Sequence, residues 1–239
     1  PYLPAGKYKA TYYLVNENGT RSKTSSREFM IGQPAVAITL DGYSSYTRYQ
    51  EGFPATANEL DGFTVYAADL WSDPEENRRF FDELGLSQEQ IIPVQADATD
   101  LPFEKEFFDA VESTDSYNYF GRDEKYLYEK LLPCVKNGAY IYIAIPGMKK
   151  DCHDHLPAEL LLSWTPEQLE YMHDVAYWSN IMHKCKGADV ISIMEMESNE
   201  EVWADWLAQD NEYAVGDRKS MEAGGGKYLN FIAIVLRKK

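Results

Sequence analysis

The feature that most constrains the fold of this chain is the alternation, from residue 62 onward, of strand patterns with helix patterns. Apolar runs with the composition of buried strands occupy 63–70, 91–97, 108–114, 139–146, 189–196 and 227–236. Helical patterns separate several of these runs, and Asp73 followed by Pro74 is a typical start of the first helix. Strands that alternate with helices form a parallel, doubly wound α/β sheet, because each connection crosses over one face of the sheet.

Both ends of the chain depart from this pattern. The run 227–236 follows its preceding helix after a short connection, so we predict that this last strand lies antiparallel to its neighbours. Residues 1–34 have the pattern of a β-hairpin with Asn18-Gly19 at its turn, and 35–40 read as a further buried strand. The sequence therefore predicts a hairpin appendage (1–34) and an α/β domain (35–239) with a mostly parallel sheet and an antiparallel C-terminal strand.

The composition disfavours two classes of partner. Thirty-nine acidic residues against 23 basic ones give a formal net charge of −16, which repels nucleic-acid phosphates and anionic lipid headgroups. No apolar stretch approaches the roughly 20 residues of a membrane-spanning helix. We therefore expect neither a nucleic-acid partner nor a membrane, and the sequence indicates no oligomeric state. The three cysteines lack C-x-x-C spacing, which is typical of a protein of the reducing cytoplasm.

Acidic residues stand at the ends of three successive predicted strands. Asp69 closes the first of them, Asp97 closes the second, and the segment 113–115 ends the third with Asp115. Each acid taken alone is most simply a helix cap or a solvated loop charge. The carboxyl ends of parallel strands share one edge of the sheet, where ligands bind in such folds. The coincidence of all three therefore indicates a binding site at this edge.

The segments around these acids carry a family resemblance. YAADLW, VQADATDLPF, FFDAVESTDSYNYFG and LLPCVKNGAYIYIAIPG occur in that order, and from about residue 62 to the C-terminus the chain resembles a class I, Rossmann-like methyltransferase dependent on S-adenosylmethionine. The resemblance implies that Asp69, with Leu70 beside it, holds the ribose hydroxyls of the cofactor. It implies that Asp97 and Ala98 receive the adenine, and that Ser113 borders the methionine part and the substrate.

The first strand and its loop differ from the family pattern. Family members carry a glycine-rich D-x-G-x-G-x-G there, because the backbone must approach the amino acid end of the cofactor closely. The corresponding loop here reads Asp41-Gly42-Tyr43-Ser44-Ser45. The resemblance implies that Asp41 and Gly42 still border the cofactor. Because side chains replace the glycines that follow, we expect the adenosine end to carry most of the affinity.

The resemblance implies a methyltransferase that moves the sulfonium methyl group of S-adenosylmethionine, in line, onto a small-molecule acceptor. Asp115 and Tyr117 are the candidate catalytic residues that face the acceptor, and positioning with desolvation supplies most of the catalysis in such reactions. One alternative is a catalytically inert relative that binds a ligand or a partner. Another is a nicotinamide-dependent oxidoreductase, since an acid at a strand end also suits the ribose of NAD, although no G-x-G-x-x-G follows a strand.

The four histidines fall between 153 and 183, and Cys152 and Cys185 flank this range. Such residues can supply metal ligands, but their spacing matches no compact metal site, so we predict ordinary loop and helix positions and no metal. The glycine run 224–226 precedes a strand and reads as a loop hinge. Trp203 and Trp206 share a predicted helix and read as core residues.

Overall fold

The computed structural model describes residues 64–239 in full and the backbone of two further strands, 6–12 and 25–31. These two strands, β1 (Gly6–Tyr12) and β2 (Ser25–Ile31), pair antiparallel, with Gly6 opposite Ile31. The predicted hairpin pairing is therefore confirmed. The Asn18-Gly19 turn, the predicted strand 35–40 and the loop with Asp41 and Gly42 lie outside the described residues.

The strands of the α/β domain pair in two groups among the described residues. β3 (Val65–Asp69) and β4 (Ile91–Gln95) form a parallel pair. β5 (Phe108–Thr114), β6 (Val135–Met148), β7 (Ala188–Glu195) and β8 (Leu229–Lys238) form a sheet in the order β5-β6-β8-β7. β5 and β6 are parallel, whereas β8 runs antiparallel to both β6 and β7. The predicted α/β class with an antiparallel last strand is confirmed.

The described helices connect these strands. They are α1 (Pro74–Glu83), α2 (Tyr117–Phe120), α3 (Pro166–Leu169), α4 (Val175–Lys184), α5 (Asn199–Leu207) and α6 (Glu212–Glu222). Asp73 caps α1 as expected, since its side chain accepts hydrogen bonds from the backbone of Glu75 and Glu76. Within 64–239 no helix has both the length and the apolar character that crossing a bilayer requires.

The segment 123–134, between β5 and β6, forms only short helical turns. The Asp123 side chain accepts a hydrogen bond from the backbone of Lys125 at 3.0 Å and so shapes a turn there. One turn of π-helix, Leu127–Leu131, follows and leads into a 3₁₀ turn, Leu132–Cys134. Pro133 ends regular helix here because it has no N–H to donate.

The buried side chains of residues 64–239 form three clusters. The largest surrounds β5, β6 and β8 and contains Trp178, Ile141 and Ile234, each fully buried. A second cluster contains Trp203, which confirms its predicted place in the core, and Trp206 packs partly buried against it. The third holds Leu86 and Ile91 beneath β3 and β4. Tyr66 of β3 makes edge contacts with Phe103, Phe107 and Phe108, and these rings join the β3–β4 pair to β5.

Candidate functional site at the carboxyl edge of the strands

Asp69 ends β3 and organises the turn that follows it. Its Oδ1 accepts hydrogen bonds from the backbone N–H groups of Trp71 and Ser72 at 2.7 and 2.6 Å. The bond from Ser72 is the main reason that the pKa of Asp69 lies below its usual value, so the side chain is a carboxylate at neutral pH. An ionised carboxylate accepts about four hydrogen bonds, so these two bonds leave capacity for a ligand. Asp69 is a cap and is still able to bind hydroxyl groups.

Asp97 follows β4 and lies beside the Asp69 turn. The backbone N–H of Ala96 donates to the carbonyl of Asp69 at 2.9 Å, and Gln95 Nε2 donates to the carbonyl of Leu70 at 3.3 Å. Asp97 Oδ1 accepts from the backbone and the hydroxyl of Thr99, both at 2.7 Å. The structure thus brings the predicted residues Asp69, Leu70, Asp97 and Ala98 to one edge.

A hydrogen bond from a residue of the buried core also holds the turn at Asp97. The hydroxyl of Tyr126, a residue of the largest buried cluster, donates to the carbonyl of Ala98 at 3.0 Å. Hydrogen bonding to Thr99 lowers the pKa of Asp97, so this carboxyl is ionised as well. Both predicted adenosine ligands are therefore anions, and their backbone positions are set before any ligand binds.

At the end of β5, Asp115 turns the chain sharply. Its N–H donates to the carbonyl of Ala144 at 2.8 Å, which continues the pairing with β6, and its φ of 50° lies in the left-handed region. Aspartate is one of the few non-glycine residues that adopt this conformation readily. Ser113 shares a 2.8 Å hydrogen bond with Ser116, which closes the turn from the side.

The carboxyl group of Asp115 lies close to that of Asp217. Asp115 reaches solvent, yet protein surrounds the carboxyl closely enough that desolvation, followed by the negative charge of Asp217, raises its pKa to about 6. Asp217 lies on α6, where Trp206 Nε1 donates to its Oδ2 at 2.9 Å. Burial also raises the pKa of Asp217. Sequence analysis missed Asp217 because α6 lies about a hundred residues away and carries no motif.

The two tyrosines after Asp115 point in different directions. Tyr117 is fully buried against Phe120, Tyr126 and Trp178, and its hydroxyl has no hydrogen-bond partner within the described part of the chain. Tyr119 is 58% exposed, and Asp115 lies near enough to contribute to a raised pKa of its hydroxyl, of which burial is the larger cause. The predicted acceptor-facing role of Tyr117 stays a prediction, and Tyr119 is the tyrosine that reaches solvent near Asp115.

Next to Tyr119 lie the ring of Tyr171 and the guanidinium group of Arg122, and these three side chains form one wall. The Tyr119 ring lies 5.0 Å from that of Tyr171, and the guanidinium of Arg122 lies 4.3 Å above the Tyr171 ring. Arg122 also donates to the carbonyl of Glu170 at 3.0 Å. Two aromatic rings and the positive charge of Arg122 therefore lie together near Asp115, which sequence spacing did not indicate.

Beyond this wall the structure brings together Asp151, His153 and His173. Nδ1 of His153 lies 2.9 Å from Oδ1 of Asp151, and Nδ1 of His173 lies 3.3 Å from Oδ2 of the same carboxyl group. The other two histidines lie apart from this group: His155 ends a 3₁₀ turn, and His183 bonds within α4 to Ser179. Sequence analysis missed the group because its members come from two loops about 20 residues apart.

Comparison with known proteins agrees with the fold. A family model described as a methyltransferase domain matches residues 51–143. A search of curated proteins found no significant match. Geranyl diphosphate methyltransferase, solved with S-adenosylmethionine, is 11% identical, with 84% of this chain and 85% of that chain covered and a TM-score of 0.58.

Two further solved structures are similar over a smaller part of their length. Geranyl diphosphate C-methyltransferase from Streptomyces coelicolor A3(2), solved with Mg²⁺, geranyl diphosphate and S-adenosyl-L-homocysteine, is 13% identical (73% of this chain, 63% of that chain, TM-score 0.55). The [4+2]-cyclase SpnF is 14% identical (73% and 66%, TM-score 0.51). This chain spans just under two thirds of each of these proteins. Residues 51–143 match a methyltransferase domain, and the described chain has the Rossmann-like fold of the class I S-adenosylmethionine-dependent methyltransferases.

Proposed function

We propose that this protein is an S-adenosylmethionine-dependent methyltransferase that acts on a small-molecule acceptor. The observation that carries the proposal is the row of acids Asp69, Asp97 and Asp115 at the carboxyl ends of β3, β4 and β5. The match of residues 51–143 to a methyltransferase domain supports it. Geranyl diphosphate methyltransferase, a protein of the same fold, binds S-adenosylmethionine.

The part of the edge formed by Asp69 and Asp97 suits the adenosine part of the cofactor, and we call it the adenosine end. Asp69 is ionised, held by its turn and partly exposed, so it can accept hydrogen bonds from the two hydroxyl groups of a ribose. Leu70 is 44% exposed and Ala98 half-buried, which leaves apolar surface for a purine ring. Asp97 can accept a hydrogen bond from an exocyclic amino group. Asp41 and Gly42 lie outside the described residues, so the proposal rests on the adenosine end.

At the acceptor end, Asp115 is our candidate base. Bound S-adenosylmethionine supplies an electrophilic methyl group, and the acceptor atom that takes it must lose a proton if it begins as a hydroxyl or an ammonium. With a pKa of about 6, the Asp115 carboxyl is ionised at neutral pH and more basic than an ordinary aspartate. Tyr119 stays protonated and can donate a hydrogen bond to the acceptor. We assign Tyr117, fully buried, to the packing beneath α2.

The charges near Asp115 favour an acceptor that is neutral or cationic at the reacting atom. Asp217 places a second acid close enough to raise the pKa of Asp115, and an anionic group between the two would be repelled. The rings of Tyr119 and Tyr171 provide apolar surface. Apolar rings beside two acids suit a small-molecule acceptor, and the net charge of −16 opposes a nucleic-acid acceptor.

Calorimetric titration tests the proposal. The full chain should bind S-adenosylmethionine and S-adenosylhomocysteine and should not bind NADH, which separates the methyltransferase from the oxidoreductase. If the loop 41–45 contributes little, adenosine should bind nearly as well as S-adenosylhomocysteine. A 100-fold preference for S-adenosylhomocysteine, about 2.7 kcal/mol, would show that the loop contributes. No binding of any of these ligands at millimolar concentration would refute the proposal.

Methyl transfer is a separate measurement. The protein, incubated with methyl-labelled S-adenosylmethionine and a panel of small amines, alcohols and carboxylates, should label a neutral or amine acceptor. Replacement of Asp115 by Asn should lower the rate by about 100-fold or more, the usual loss when a general base is removed. Cofactor binding with no labelled product from any acceptor class would instead favour the inert relative, and the cyclase SpnF shows that this fold also occurs in a protein named for another reaction.

A further inference from the structure

We propose that Asp151, His153 and His173 bind one divalent first-row transition-metal ion, for which Zn²⁺ is the best fit. One ligand atom from each residue lies within 4.8 Å of the other two. Donors 2.0–2.2 Å from a shared tetrahedral ion lie about 3.4 Å apart. His153 Nδ1 lies 2.9 Å from Oδ1 of Asp151 and His173 Nδ1 lies 3.3 Å from Oδ2 of the same carboxyl group, so both imidazoles already contact the one carboxylate at near this spacing.

The fold holds the two loops that carry these residues. The backbone N–H of Met148, the last residue of β6, donates to the carbonyl of His173 at 3.1 Å. A Cβ at Gly147 would lie 2.5 Å from that carbonyl oxygen, so this close approach requires glycine. Asp174 caps α4 and also accepts a hydrogen bond from the N–H of Asp151 at 3.1 Å. The donors therefore come from anchored backbone.

The hydrogen bonds of His153 suit a metal ligand. Its Nε2 lies 3.0 Å from the carbonyl oxygen of Leu169, which only accepts, so Nε2 carries a proton. In the neutral ring, Nδ1 then has a lone pair, and this lone pair faces the carboxylate of Asp151, another acceptor. A metal ion between Nδ1 and the carboxylate would bind both groups. Metal-binding histidines usually donate their other N–H to a carbonyl or carboxylate in this way.

His173 supplies the second imidazole in a fixed orientation. Its ring stacks on that of Tyr177 with centroids 3.5 Å apart and planes within 9° of parallel, and the residue is 8% exposed. Asp151 is exposed, so an ion held by the three side chains would keep at least one position open to solvent or to a ligand. Two imidazoles with one carboxylate suit zinc and iron, whereas Mg²⁺ prefers oxygen donors.

The test uses the full chain stripped with EDTA and titrated by calorimetry with ZnCl₂ and, separately, MgCl₂. We expect one Zn²⁺ per chain and much weaker Mg²⁺ binding. His153→Ala and Asp151→Asn, at positions that reach solvent, should each weaken Zn²⁺ binding by about 100-fold, as should His173→Ala if it folds. With Co²⁺ as a spectroscopic probe, the wild-type absorption bands in the visible region should be lost in His153→Ala.

His183→Ala is the matched control, since His183 is an exposed histidine of the same region that bonds to its own helix. It should bind Zn²⁺ as the wild type does, and circular dichroism in EDTA should show that His153→Ala, Asp151→Asn and His183→Ala are folded. Three results would overturn the proposal: no Zn²⁺ binding by the wild type at 0.1 mM, equal binding by His153→Ala and Asp151→Asn, or an equal loss in His183→Ala. None of these results depends on whether the protein binds S-adenosylmethionine.

Discussion

The two ends of the binding edge are built differently. The cofactor half, which comprises β3, α1, β4 and their turns, has a small buried cluster among the described residues, Leu86 and Ile91. The acceptor half, β5 to β8 with α2 to α6, contains the largest cluster and the fully buried Trp178. In the cofactor half the key carboxylates are oriented by hydrogen bonds to residues two or three positions away. In the acceptor half the acids are placed by contacts with other elements: the N–H of Asp115 donates to the carbonyl of Ala144, and Oδ2 of Asp217 accepts from Trp206 Nε1.

This difference separates two ways of building a site. Short-range turns can hold a carboxylate in place with little core beneath it, because the turn itself supplies the donors. A site built from distant elements needs a rigid core beneath it, since nothing local fixes the distance between Asp115 and a residue on α6. Stability is therefore expected to depend mainly on the acceptor half, and cofactor affinity on a few side chains of the cofactor half.

The largest expected effect is on the core of the acceptor half. Trp178→Ala should lower the free energy of unfolding by about 3–5 kcal/mol, the usual cost of removing a buried aromatic side chain. Phe81→Ala, which removes a half-buried ring of the cofactor half, should cost about 1–2 kcal/mol. Urea denaturation followed by fluorescence and circular dichroism measures both. Equal losses would contradict the proposed difference between the halves.

A smaller effect concerns ligand binding in the cofactor half. Asp69→Ala should weaken S-adenosylhomocysteine binding by about 1.5–3 kcal/mol, since hydrogen bonds to a charged group are lost. Asp69→Asn keeps an oxygen that can accept from Trp71 and Ser72, so it should preserve the turn while still weakening binding. Calorimetry measures each affinity.

Asp73→Ala is the control for that experiment, because Asp73 is a neighbouring acid that caps α1. It should lower stability by about 1 kcal/mol and leave the affinity unchanged. If Asp69→Ala and Asp73→Ala reduced the affinity equally, or if neither did, Asp69 would be a cap alone.

The smallest effect concerns the pH dependence of stability in the acceptor half. The pKa of Asp115 is raised from 3.8 to about 6 in the folded protein, so between these values the folded state binds more protons than the unfolded state. Stability therefore falls as the pH rises from about 4 to about 6. The carboxyl also reaches solvent, which screens the effect to about 1 kcal/mol.

Asp115→Asn should remove this decline and stabilise the protein at pH 7.5 by about that amount, with little change at pH 4. Denaturant titrations at the two pH values measure the difference between wild type and variant. A variant that is less stable than the wild type at pH 7.5 would show that the ionised carboxylate contributes favourable contacts instead.

Sequence analysis succeeded where the structure depends on local signals. Asp69, Asp97 and Asp73 all follow or precede regular elements, and each accepts hydrogen bonds from backbone groups close in sequence, so their positions are encoded within a few residues. The antiparallel C-terminal strand was likewise indicated by a short connection. The roles of the predicted ligands remain predictions, because no ligand position is fixed by the backbone alone.

Sequence analysis did not predict contacts between distant segments. Nothing near Asp115 indicates that α6 brings Asp217 beside it, and nothing near His153 indicates that His173 returns to the end of β6. Tyr117 and Tyr119 show a second limit of sequence patterns. Both residues are aromatic and they lie two positions apart, so the pattern does not indicate which of the two rings is buried. Successive residues of a helical turn point in different directions, and only tertiary packing decides which ring is buried.

The hydrogen bond from Tyr126 to Ala98 has a consequence for local unfolding. Together with the ring contacts of Tyr66, it joins the cofactor half to the larger core among the described residues. If the contacts between the two halves broke before those within β5 to β8, β3 and β4 would open as one cooperative unit while β5 to β8 remain folded. Backbone amides of β4 should therefore exchange with deuterium well before those of β8. A ligand that contacts both Asp69 and Asp97 would slow that exchange, so cofactor binding would be detected first as protection of the less stable half.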